Sequence, residues 1–193
     1  MITSESLQVT QLVTNLLDKL DILYVIGGSV ASTIFGMPRM TMDVDIVVAL
    51  PQPKIAPFVA GLSDAFYADE ASIKTAVLQQ TSFNLIHFET AFKVDMFVVK
   101  QRPFDQQQLA RRRAEYVDVN QTTPLWVATP EDIILAKLEW FHLGGGVSER
   151  QWRDVLGVLK TQQSKLDVAY LRQWAAELNV VSLLEYALVE IDG

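Results

Sequence analysis

Two β-rich runs of this chain carry carboxylates where a strand interior usually excludes them. In Asp43-Val44-Asp45-Ile46-Val47-Val48 the two-residue period of a strand puts Val44, Ile46 and Val48 on one face. Asp43 and Asp45 share the other. In Phe92-Lys93-Val94-Asp95-Met96-Phe97-Val98-Val99 one acid stands inside an otherwise apolar strand end. Two carboxylates at that spacing repel each other unless something positive lies between them, and buried charges must be paired or bound to metal. Three acids from two strands of one sheet make a hard oxygen-donor set, suited to Mg²⁺ or Mn²⁺. The alternative is that Asp43 and Asp45 line an exposed strand edge, where acids discourage edge-to-edge association.

The segment upstream bears on that choice. Residues 22–26 form a compact apolar run that ends in Gly27-Gly28, as a buried strand meeting a tight turn does. Residues 29–35 then have the pattern of a short helix, closed by Gly36 and followed by Pro38. At such a junction the backbone N–H groups of Gly27, Gly28 and Ser29, with the Ser29 hydroxyl, can approach phosphate oxygens closely. Glycines also end strands for steric reasons alone. The succession of strand, Gly-Gly-Ser turn, helix and D-x-D strand is far more specific than either part.

Elsewhere the apolar periodicity predicts helices over 9–20, 54–66, 71–80 and 103–113. Residues 83–88 and 92–99 predict a hairpin turning at Glu89-Thr90-Ala91. Residues 116–119 and 125–128 predict a further short strand pair. Thr129-Pro130-Glu131-Asp132 is a strong helix start, and that helix stops at Gly144-Gly145-Gly146. Ser148 caps the next helix, and two more fill the chain to its end. Strands crowd the first two thirds and helices the last third. The expected architecture is α+β, with a mixed sheet flanked by helices over residues 1–128 and a helical C-terminal part over 129–193, which can pack with the core as one domain.

Composition removes several alternatives. No run approaches the roughly 18 apolar residues of a membrane span. The first residues lack the basic and apolar stretches of a secretory signal, so a cytoplasmic location is expected. The chain has no cysteine, which excludes disulfides, thiolate zinc sites and a cysteine nucleophile. A net charge of −7 over 193 residues excludes a broadly basic nucleic-acid binder. Arg111, Arg112 and Arg113 form the one basic cluster, which suits a solvated helix end better than RNA contact. His87, within an apolar strand, and His142, at a helix end, fit structural roles. A Ser-His-Asp mechanism has little support.

The stretch VIGGSVASTIFGMPRMTMDVDIVV resembles the active-site motif of the DNA polymerase β-like nucleotidyltransferase superfamily, in which a glycine-serine turn precedes a D-x-D strand. KVDMFVV is similar to the strand that carries that superfamily's third carboxylate. PEDIILAKLEW and RQWRDVLGVLK resemble the AbiEii-like branch, which includes nucleotidyltransferase toxins of toxin–antitoxin pairs. The resemblance implies that Asp43, Asp45 and Asp95 bind Mg²⁺ or Mn²⁺ and that Gly27, Gly28 and Ser29 bind the phosphates of a nucleoside triphosphate such as ATP.

Two residues of the helical part bear on this chemistry. On the wheel of residues 130–143, Ile133, Ile134, Leu138, Trp140 and Phe141 form an apolar stripe, with Lys137 projecting from its middle. A solvated lysine belongs on the opposite face, with Asp132 and Glu139. Lys137 either snorkels or, as the resemblance implies, aims its ammonium at triphosphate oxygens. Asp154 is the best-placed match to the late catalytic acid of the AbiEii-like branch, although Arg150 and Asp154 also fit an i,i+4 surface pair. Arg39, just before the acidic strand, suits contact with phosphate or neutralisation of Asp43.

These observations imply a metal-dependent transfer of a nucleoside monophosphate to an acceptor hydroxyl, with Asp95 as base toward the acceptor and pyrophosphate as leaving group. A tRNA end, a protein hydroxyl and a small molecule such as an aminoglycoside remain open as acceptors. The acidic balance disfavours a large RNA. A non-catalytic module of the same fold, acting by protein contact with a cognate antitoxin, is the alternative.

Overall fold

The computed structural model describes residues 4–37, 41, 43–117 and 123–192. Arg39 therefore lies outside the described residues. Among those described, the chain runs α1 (Ser4–Lys19), β1 (Tyr24–Ile26), α2 (Gly28–Phe35), β2 (Asp43–Val48), α3 (Ile55–Leu62), β3 (Phe66–Tyr67), α4 (Glu70–Gln79), β4 (Ser82–His87) and β5 (Lys93–Val98). It continues with α5 (Pro103–Arg111), β6 (Arg113–Glu115), β7 (Leu125–Val127), α6 (Pro130–Leu143), α7 (Glu149–Gln162), α8 (Val168–Glu177) and α9 (Val181–Asp192). The strands form one mixed sheet in the order β3-β4-β5-β2-β1-β7-β6. This is the expected α+β architecture of a mixed sheet flanked by helices.

The centre of the sheet positions the acids. β1 runs antiparallel to β2, and β2 runs parallel to β5. All three are short runs of β-branched and apolar residues, and their inward faces (Ile26, Ile46, Val94, Met96) are fully buried. The hairpin from β4 to β5 turns where expected. Its Ala91 adopts φ +55°, and the Thr90 hydroxyl bridges the Phe92 N–H at 3.2 Å and His87 Nδ1 at 3.0 Å. His87 is buried against the Phe66 ring, in the structural role anticipated for it.

Two predicted elements differ. The helix expected over 54–66 ends at Leu62, and Phe66 joins β3, paired with His87 at the sheet edge. The strand expected over 116–119 lies partly outside the described residues, and the segment paired with Leu125–Val127 is Arg113–Glu115. Periodicity missed this strand because Arg-Ala-Glu has no strand preference of its own. The backbone turns extended at Arg112, and pairing with β7 holds it there.

Helices α6 and α7 pack on α2, and α8 and α9 pack on them in turn. The Thr129 and Ser148 side chains cap α6 and α7 as expected, accepting from the N–H groups of Asp132 and Gln151. Gly36 lets α7 approach closely, since a Cβ there would lie 2.9 Å from the Val158 backbone nitrogen. The Gln162 amide donates to the Phe35 carbonyl at 2.9 Å. One apolar core runs from the sheet through Ile134, Val158, Leu171 and Leu184. Among the described residues no helix is long and apolar enough to cross a membrane.

Candidate active site

The Gly-Ser turn and the first acidic strand form one unit. β1 delivers the chain to Gly27, whose N–H donates to the Asp45 carbonyl at 2.9 Å and extends the β1–β2 ladder. Gly28 then takes φ +53°, a left-handed conformation that glycine adopts without strain. A Cβ at Gly28 would fall 1.6 Å from Asp45 Oδ2, so any side chain would evict that carboxylate. The space beside Gly27 is open. With α2 beginning here, the Ser29 N–H points at Asp45 Oδ2, 3.4 Å away, and the Ser32 hydroxyl donates to the Gly28 carbonyl at 2.7 Å. The first N–H groups of the helix thus face a carboxylate, where their partial positive charge is most useful.

Parallel pairing of β2 with β5 brings the acids together. Asp45 lies opposite Asp95, and Asp43 lies opposite Lys93. Asp43 is held by the Thr41 hydroxyl, which donates to its Oδ1 at 2.8 Å. Asp95 receives the Lys93 ammonium at 2.7 Å on Oδ2. With the Asn84 amide turned so that its nitrogen donates, Oδ1 is met at 2.5 Å. Burial pushes the Asp45 carboxyl above the usual carboxylate range, and the charges of Asp43 and Asp95 push it further. The Ser29 N–H and the charge of Lys137 oppose that rise without cancelling it.

The helical residues converge from the other side. Lys137 is buried, so the snorkelling alternative fails. Its Nζ lies 2.8 Å from Asp154 Oδ2 and donates to Gln151 Oε1 at 2.9 Å. Asp154 is likewise buried and faces Lys137, which replaces the surface pair with Arg150. The crossing of α6 and α7 makes this pair.

Asp132 departs furthest from expectation. It was placed on the solvated face of α6 but is fully buried, because α8 covers that face. The Tyr170 hydroxyl donates to its Oδ1 at 2.6 Å, the Thr129 hydroxyl to its Oδ2 at 2.9 Å, and Arg111 Nε lies 3.7 Å away. The basic cluster divides: Arg111 and Arg112 are partly buried, and Arg113 is exposed as a solvated helix end would be. Arg111 stacks on Tyr170 at 3.8 Å, Arg112 lies over Trp126 at 4.8 Å, and Arg113 pairs with Glu115 at 3.4 Å.

Three residues that sequence reasoning passed over belong to the site: Thr41, Asn84 and Lys93. For Lys93 a signal existed, since it stands two positions before Asp95 and therefore on the same face of the strand. Among the described residues, no three His, Asp or Glu side chains are gathered closely enough to hold an ion as they stand. The chemistry of Asp43, Asp45 and Asp95 nevertheless fits a hard divalent cation. They share one face, they repel one another, and the Lys93 ammonium already occupies the position of a positive partner.

No family model and no curated protein matches this chain. Solved structures do. The solution structure of the antibiotic-resistance factor ANT(2″)-Ia aligns over 98% of this chain and 100% of its own, with TM-score 0.57 and 15% identity. The crystal structure of ANT(2″)-Ia in complex with adenylyl-2″-tobramycin aligns over 91% and 98%, with TM-score 0.60 and 11% identity. An antigenic nucleotidyltransferase-like protein from Paracoccidioides brasiliensis aligns over 93% of both chains, with TM-score 0.53 and 19% identity. Likeness of this kind establishes the fold, which is that of the nucleotidyltransferases.

Proposed function

We propose that this chain is a metal-dependent nucleotidyltransferase that transfers a nucleoside monophosphate from a nucleoside triphosphate to a hydroxyl of a small molecule. One observation carries the reading. The Gly28–Ser29 turn is packed against Asp45 so closely that no side chain fits between them, while Asp45 faces Asp95 across parallel strands. A phosphate-sized group beside the open face of Gly27 would meet helix N–H groups on one side and carboxylates on the other. Carboxylates and a triphosphate share such a site only with cations between them.

Asp43, Asp45 and Asp95 would hold Mg²⁺ or Mn²⁺, which supplies Lewis-acid polarisation of the triphosphate and charge for the departing pyrophosphate. Gly28 and Ser29 would bind phosphate oxygens through backbone N–H groups, whereas Gly27, whose own N–H is held by the Asp45 carbonyl, would contribute the open space beside it. Asp95, once released from Lys93, accepts the proton of the acceptor hydroxyl as that oxygen attacks the α-phosphorus and the bond to pyrophosphate breaks. Lys137 neutralises charge that develops on the phosphates. Asp154 and Gln151 position the Lys137 ammonium by direct contact. Arg39 is retained as a phosphate contact on its place in the sequence alone.

The small-molecule acceptor is favoured by the ANT(2″)-Ia complex, whose bound product is an adenylylated aminoglycoside. The net charge of −7 disfavours a large RNA acceptor. The toxin-like role with a cognate antitoxin rests on the sequence resemblance alone.

The test is incubation with each α-³²P-labelled triphosphate and Mg²⁺ beside aminoglycosides, tRNA and total cell protein. The expected outcome is label on a small molecule with release of pyrophosphate, lost on the order of 1000-fold in Asp45→Asn. Label that persists undiminished in folded Asp45→Asn, or no label from any triphosphate, defeats the reading.

A further inference from the structure

The acidic face carries its own cation. Lys93 stands in register with Asp43, one strand across, and its Nζ contacts Asp95 Oδ2 at 2.7 Å. The side chain is 44% exposed whereas that of Asp95 is 15% exposed, so the ammonium covers Asp95 from the solvent side. The other oxygen, Oδ1, is taken by Asn84. Both oxygens of Asp95 are therefore engaged, and an incoming cation meets Asn84 on one and Lys93 on the other. Asn84 is neutral and coexists with a bound cation. Lys93 does not, because two positive charges on one carboxylate oxygen repel each other.

Resting on the nucleotidyltransferase reading above, we propose that Lys93 is a resident counter-ion that closes the acidic face to free divalent metal and yields Asp95 only when a triphosphate arrives. In the empty site the ammonium offsets repulsion among Asp43, Asp45 and Asp95. When a metal–triphosphate complex binds, the phosphate oxygens give the displaced ammonium new partners within reach of its flexible stem. Metal alone has no such compensation. Metal and nucleotide consequently bind with positive coupling, each raising affinity for the other by the same factor. Lys93 acts here as a positioning and gating residue, distinct from Lys137, which is held inside the helical part by Asp154.

The experiment is calorimetric titration of Mn²⁺ into the full chain, as wild type, Lys93→Met and Lys93→Arg. Each is measured alone and with the α,β-methylene analogues of ATP, GTP, CTP and UTP. Lys93 is half-exposed and its aliphatic length is kept by methionine, so Lys93→Met should keep the fold, and a thermal melt in EDTA verifies it. Removing an exposed ion pair that competes with the metal should tighten Mn²⁺ binding in Lys93→Met by about three- to tenfold. Lys93→Arg, which keeps the charge, should bind Mn²⁺ as weakly as wild type. The gain in Mn²⁺ affinity produced by the analogue should shrink in Lys93→Met by the same factor. Equal Mn²⁺ affinity in Lys93→Met and wild type, or the same nucleotide-driven gain in both, overturns the proposal. Asp43→Asn with Asp45→Asn separates the levels. If the double variant abolishes Mn²⁺ binding while Lys93→Met leaves it unchanged, the gate falls and the site stands. If Mn²⁺ binding survives the double variant in both Lys93 backgrounds, the acidic site falls, and the gate with it.

Discussion

The molecule contains two carboxylate clusters built from similar parts, and they are wired in opposite ways. On the sheet, Asp43, Asp45 and Asp95 face one another with a half-exposed lysine as the nearest cation on their own strands. Where α5, α6 and α8 meet, Glu131 and Asp132 are divided among Arg111, Tyr170, Thr129 and the Asp167 N–H. In both clusters burial raises a carboxyl above the ordinary range, that of Asp45 on the sheet and that of Asp132 in the helices. Asp132 is surrounded by donors and a guanidinium, with Glu131 the lesser influence. Asp45 has two acids among its neighbours and one weak N–H contact. A satisfied network holds helices together. An under-compensated one keeps charge in reserve for something that binds. The Lys137–Asp154 pair lies between these extremes, fully paired yet electrostatically felt by Asp45.

Lys137→Met puts the largest strain on this contrast. The change would be nearly neutral for a snorkelling lysine, but Lys137 and Asp154 are both buried and 2.8 Å apart. Removing one partner strands the other, at a cost of about 3–5 kcal/mol in denaturant unfolding. Adding Asp154→Leu should recover most of that loss, because no charge is then left buried. Turnover should stay depressed on the order of 100-fold in the refolded double variant if the ammonium faces phosphate. A single variant as stable as wild type would place this pair with the surface ion pairs.

Much of this was legible in the chain, and the failures share a cause. Period-two alternation revealed that Asp43 and Asp45 share a face. The Gly-Gly-Ser turn is local chemistry, and Thr129 and Ser148 announced their helices for the same reason. What no local pattern contains is the neighbour of each element. Strand order makes Asp95 the partner of Asp45, and that depends on β5 inserting between β4 and β2. The wheel of α6 placed Asp132 in water because it cannot foresee α8 packing there. The same wheel singled out Lys137 as a charge within an apolar stripe, yet only the crossing of α7 supplies Asp154. The spacing of Lys93 from Asp95 puts both on one face of β5, but a lysine on a strand face is also what a solvated edge carries, and only the fold shows the ammonium on Asp95.

Asp132→Ala tests the helical side of the contrast. The substitution leaves the Tyr170 hydroxyl and the Thr129 cap without their acceptor, while Arg111 retains Glu131. Loss of buried hydrogen bonds should destabilise the protein by about 2 kcal/mol in denaturant unfolding. Mn²⁺ affinity per folded molecule should be unchanged, since the network is remote in function from the sheet. An altered Mn²⁺ affinity in the folded variant would join the two clusters into one system and erase the distinction.

On stability, Asp45→Asn has the smallest expected effect and the most informative sign. In metal-free protein the raised carboxyl means that the native state keeps a proton the unfolded chain has lost. Native stability therefore falls as pH rises from the ordinary value of 3.8 toward the raised one, and the penalty is constant above that. Asparagine carries no charge at any pH. The difference in stability, variant minus wild type, should be near zero below pH 3.8, climb through the window above it and level off. Relief of repulsion between directly opposed like charges sets the plateau at roughly 0.5 kcal/mol in favour of the variant. Asp132 also titrates high, but it is present in both proteins and cancels in the difference. Saturating Mg²⁺ should reverse the order, because only wild type gains stability from the ion. Chemical denaturation at a series of pH values in EDTA supplies the curve. A variant less stable than wild type at neutral pH in EDTA would mean that Asp45 is fully compensated by its turn, and the sheet cluster would then belong with the helical one.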